Sequence, residues 1–186
     1  MTGFKNKLDQ NVEAHVDVSG FLGQIEYAHA RVHEGVLYEV HWESLDLDIA
    51  SPKTVLIQTG SKTVHLFYEL ASIGARVQFQ LFEGPTITAE SESGEIIPAN
   101  LNRDLAAAAV ALGVKFYGTF TATNDGTEIA GAKRQILGSS GGVSRVNASS
   151  RQSAERVLKA NTKYLLRATS AANDAVFTFD GTFNEI

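Results

Sequence analysis

The chain has 186 residues, 44% hydrophobic and 20% charged, a composition that folds as one globular domain and excludes wholly disordered or fibrous classes. It has no cysteine, which rules out disulfide frameworks, zinc–thiolate centres, iron–sulfur clusters and thiol catalysis. A net charge of -5 argues against a protein that coats nucleic acid, and no apolar run approaches the roughly 20 residues of a membrane helix.

Residues Met1 to Ser19 read as an arm preceding a domain over 20–186. Its first ten residues lack the apolar core of a signal peptide, so synthesis in the cytoplasm is expected. Its large apolar residues, Phe4, Val12, Val16 and Val18 among them, follow no sustained period. Lys5 and Lys7 are followed by Asp9, Glu13 and Asp17, which is no nucleic-acid tail. Such a segment gains order by laying its apolar residues on another protein, since ordering costs about 1–2 kcal/mol per residue. Phe4, Lys5, Lys7, Val12 and Val16 are therefore candidate interface residues.

Leu22, Ile25, Ala28 and Val32 recur at helical spacing between Ser19, a cap, and Gly35, a stop, and predict a short helix over Gly20–Glu34. Beyond Gly35 the period becomes two. Strands are predicted around Val36–Trp42, Val64–Leu70, Val77–Leu81, Val114–Phe120, Tyr164–Ala168 and Phe177–Phe183. Their buried face is expected to include Val40, Trp42, Leu66, Tyr68, Phe79, Leu81, Phe116, Leu166 and Phe179. Turn signals fall at Thr59-Gly60, Ile73-Gly74, Gly84-Pro85, Asn124-Asp125-Gly126 and Asn173-Asp174. Short strands without long intervening helices predict an all-β, antiparallel sandwich with at most one or two short helices. The Ala-rich stretch Leu105–Leu112 fits a helical turn or two, and Gly138–Arg151 reads as a long exposed loop.

Catalytic constellations do not assemble. Gly138-Ser139-Ser140-Gly141-Gly142 matches G-x-S-x-G, but that chemistry needs a His after the Ser, and no His follows His65. His29 and His33 would share a helix face, with His41 as a third ligand, yet hydrogen bonding or a subunit contact is the plainer reading. The pairs Glu83 with Glu90 and Glu92 with Glu95 lie on expected loops and read as a solvated acidic edge. No catalytic, cofactor-binding or metal residues are nominated, and a non-enzyme is expected. The charge pattern is more informative. Between Lys133 and Arg167 lie eight cations against one acid, Glu155, whereas Glu83 to Asp104 carries five acids against Arg103. Such segregation lets a protein dock copies of itself or another charged protein surface. Arg134, Arg145 and Arg151 join the candidate interface residues on that ground.

The ordered series Glu26–Gly35, Val55–Gly60, His65–Glu69, Leu81–Gly84, Asn100–Arg103, Gly138–Gly142 and Leu158–Arg167 is similar to a family of small tailed-phage virion proteins. That family comprises capsid decoration, or cement, proteins. The resemblance spans Glu26 to the C-terminus, while Leu105–Leu112 is richer in Ala, and Asn184-Glu185-Ile186 less aromatic, than related chains. It implies a jelly-roll-like sandwich, commonly a homotrimer, seated on the outer surface of the capsid and contacting the major capsid protein. It implies no catalytic residues, and neither nucleic acid nor membrane is an expected partner. The alternative is a carbohydrate- or receptor-binding module of the tail, fibre or head surface, in which Trp42, Tyr38 and Tyr117 would stack on sugars if exposed.

Overall fold

The structure is a computed structural model that describes residues 14–16, 22–24, 32, 34–88, 93–102, 112–136 and 156–186. Among these the chain is all-β, and its two main sheets pack as an antiparallel sandwich. Sheet I has the order β12 (Thr127–Glu128), β6 (Val77–Glu83), β15 (Lys163–Ser170), β4 (Lys53–Gln58), β10 (Lys115–Thr119), β8 (Ser93–Ile96). A further strand, β13 (Arg134–Ile136), also pairs with β6. Sheet II has the order β14 (Arg156–Leu158), β5 (Val64–Ile73), β16 (Ala175–Glu185), β3 (Tyr38–Leu47), β9 (Ala99–Asn100).

Taken in chain order, β3, β4, β5, β6, β13, β14, β15 and β16 alternate between sheets in the manner of a jelly roll, apart from β6 and β13, which pair within sheet I. Numbered one to eight, they stand 1-8-3-6 in sheet II and 2-7-4-5 in sheet I. Strands that are neighbours in sequence thus mostly face each other across the core instead of pairing. Alternate residues of each long strand point into that core for that reason. In β5, Val64, Leu66, Tyr68 and Leu70 point inward, and in β6 Val77, Phe79 and Leu81 do so. The predicted inward set is buried throughout, except that Trp42 is half-buried, its ring edge-on to Phe177 at 4.8 Å.

Glycine shapes the middle of this core. Gly181 stands between Val40 and Tyr68 on the inward face, and its missing side chain leaves space for the Phe179 ring. Phe179 in turn stacks on Tyr68 with centroids 5.9 Å apart.

Sheet I has a second apolar layer that period-two reasoning places in solvent. Phe82, Leu165, Leu56 and Tyr117 stand side by side in register across four strands of its outer face, and all are buried. The cover includes a ribbon. The chain leaves β6 near one edge of sheet I and re-enters at β8 on the other, and it travels back from β10 to β12. These two crossings pair with each other as β7 (Thr86–Ile87) and β11 (Ala122–Asn124). Arg167 on the outer face of β15 bonds Asp125 of this ribbon at 2.5 Å and lies over the Phe82 ring at 5.0 Å. That ion pair fixes the crossing to the outer side.

The helix predicted over Gly20–Glu34 does not begin as expected. Leu22–Gln24 is instead a strand, β2, paired antiparallel with β1 (Ala14–Val16), and most of the rest of that span lies outside the described residues. Gly23 carries a helix penalty of about 1 kcal/mol, and pairing with β1 offers its backbone the partners a helix would have supplied. The Ala-rich Leu105–Leu112 stretch, apart from Leu112, and the Gly138–Arg151 loop lie outside the described residues.

Candidate interaction surfaces

The outer face of sheet II is the most distinctive surface. Because β3, β5 and β16 alternate, Glu39, His41 and Glu43 of β3, Thr178, Asp180 and Thr182 of β16, and Glu69 of β5 all point away from the core. Register puts His41, Asp180 and Glu69 in one row across the three strands. None of these strands contains a lysine or arginine. The result is a flat, acidic sheet face with one imidazole at its centre. His41 Nδ1 lies 2.5 Å from Asp180 Oδ1, and its Nε2 is 3.8 Å from Glu43. The Asp180 hydrogen bond, aided by the charges of Asp180 and Glu43 and opposed by partial burial, raises the His41 pKa above its ordinary 6.5.

The opposite charge gathers at the edge where β13 and β14 close the sandwich. Register with Phe79 and Leu66 turns Arg134 and Arg156 toward the gap between the sheets. Arg134 Nη1 and Arg156 Nη2 both donate to the Gly131 carbonyl, at 2.6 Å and 2.9 Å. Lys133 is exposed beside them, and Lys159 projects past β14 to Glu83 Oε1 at 2.5 Å. That pairing holds the Lys159 ammonium above its usual pKa, while burial pushes the Tyr164 phenol up. Val157 on β14, in register with His65, points to the outer face of sheet II and is 58% exposed.

A third grouping lies at the sheet II end near the turn before β16. One extra residue in β3 opposite Val176 makes a β-bulge, which leaves Leu45 outward and 67% exposed. Asp46, Asp48 and Asp174 come together there, with ligand atoms within 4.8 Å of one another, and Asp174 N–H donates to Asp48 Oδ1. These three carboxylates are the group among the described residues that has the donor type and spacing for a hard cation.

The sequence-predicted residues divide. Arg134 falls in the basic edge, and Val16 is in β1. Phe4, Lys5, Lys7, Val12, Arg145 and Arg151 lie outside the described residues, as do His29, His33 and the Gly138–Gly142 motif. Tyr38 and Tyr117 are buried, Tyr117 in the outer layer of sheet I, so neither is available to stack on a sugar. Among the described residues no aromatic side chain is exposed. The acidic face was missed because its members come from three strands separated in sequence, His41 and Asp180 by 139 residues. Only the absence of lysine and arginine from the long alternating segments could have signalled it.

Neither a scan against protein-family models nor a search of curated proteins finds a match to this chain.

Proposed function

We propose that this chain is a tailed-phage virion protein that decorates the outside of the capsid and cements it by bridging neighbouring major capsid subunits. The observation that carries this reading is the strand order. The resemblance in the sequence implies a jelly roll, and the eight main strands take the jelly-roll order in both sheets. Segregated charge on flat outer surfaces adds support, because such surfaces suit docking against other proteins. The buried Tyr38 and Tyr117 weigh against the sugar-binding alternative.

Cementing in this account is linkage. A protein that binds the closed shell and not its separated subunits stabilises the shell in proportion to the contact it makes. Self-association into a homotrimer multiplies attachment through several copies of one contact. The Met1–Ser19 arm supplies apolar residues for grooves on the shell or on a neighbouring protomer.

Co-sedimentation with phage heads lacking this protein tests the reading. The full chain should pellet with the heads, and the chain lacking Met1–Ser19 should pellet less. Failure of the full chain to bind any region of the head overturns the proposal.

A further inference from the structure

We propose that the acidic outer face of sheet II docks the basic β13–β14 edge of a second copy of this chain. This deepens the self-association in the reading above by naming the two surfaces that meet.

The argument begins with complementarity. Glu39, Glu43, Glu69 and Asp180 stand on three adjacent strands that contain no lysine or arginine, and His41, paired with Asp180, is the group set against them there. Four carboxylates on one flat sheet face repel one another, and that cost is relieved when a cationic surface covers them. The basic edge has the required character. Arg134 and Arg156 converge on the Gly131 carbonyl, which holds both guanidinium groups in place, and Lys133 next to Arg134 in the chain is exposed. Pre-positioned guanidinium groups lose less entropy on binding a carboxylate than a free lysine does.

A second copy is favoured over an unrelated partner because both halves are present on one chain. The acidic face and the basic edge occupy adjoining sides of the sandwich, since β14 is the outermost strand of the same sheet. Copies joined face to edge therefore turn relative to one another. Contacts of this heterologous kind form a ring where the rotation between copies closes.

The test is molar mass in solution by sedimentation, with circular dichroism as the folding control. The wild-type chain should be oligomeric at low salt and should shift toward monomer between about 50 mM and about 500 mM salt, because an exposed charge contact is screened. The variant Glu43→Lys/Glu69→Lys alters exposed positions only and should weaken self-association at least tenfold. Lys133→Glu/Arg134→Glu should do the same. A mixture of the two variants, each matching the other's altered surface, should associate again where neither does alone. A wild-type chain that is monomeric at low salt overturns the proposal, as do two variants that both assemble like wild type. Loss of head binding with self-association intact would count against the decoration reading alone.

Discussion

Replacing Gly181 with Ala puts the central packing of the sandwich to a test of sign. In an open strand the change would help, since glycine in a strand interior costs roughly 0.5–1 kcal/mol relative to alanine. Here the added Cβ would sit 3.0 Å from two carbons of the Phe179 ring and 3.0 Å from a Val40 methyl. Carbon atoms pack best at about 3.5–4.0 Å, so the ring or the valine must retreat by roughly half an ångström. Neither is loose. Phe179 is stacked on Tyr68, and Val40 is 2% exposed in the same layer. Overpacking of this kind costs about 1–3 kcal/mol, which exceeds the strand gain. The net loss should be about 1–2 kcal/mol, or about 2–8 °C in Tm for a chain of this length. Thermal unfolding followed by circular dichroism reads it directly. An unchanged or higher Tm would refute the claim that Phe179 occupies the space Gly181 leaves.

Two further predictions follow from polar groups. Asn184 is 1% exposed, and neither its amide nitrogen nor its oxygen has a hydrogen-bond partner among the described residues. Asn184→Leu should leave stability unchanged or raise it by about 1 kcal/mol, whereas Asn184→Asp should cost more than about 2 kcal/mol at neutral pH. Denaturant titration separates them, and a large loss with leucine would mean that the amide has a partner. The His41 imidazole should titrate above 6.5 by NMR, and Asp180→Asn should bring it back down; an unshifted wild-type midpoint would contradict the contact. Because the folded pKa is the raised one, the His41 contribution to stability is complete below about pH 6.5 and fades as pH rises through the folded value. Both side chains are about half exposed, so that contribution is small.

The parts of the fold legible in the sequence were those in which one face meets the core and the other meets water. Val64 to Leu70 and Val77 to Leu81 announce their inward residues because the intervening positions are polar or only partly buried. β4 gives no such signal: Val55, Leu56 and Ile57 are all buried, two against the core and Leu56 beneath the outer layer. The same layer explains Tyr117, whose alternation points it to an outer face that the chain itself covers. β7 and β11 are two and three residues long, too short for any period to show. The basic edge was partly visible, since Lys133, Arg134, Arg156 and Lys159 lie within one cation-rich stretch. The acidic face was not. Its carboxylates meet only through the register of β3, β16 and β5, which long-range pairing sets.

Where the chain sits on a virion is the most direct question to put to the account. Immunogold labelling of intact tailed phage from a lysate containing the protein, viewed by electron microscopy, answers it in one image. Gold should be distributed over the surface of the head. Label confined to the tail or its fibres, or particles that carry none, would contradict it.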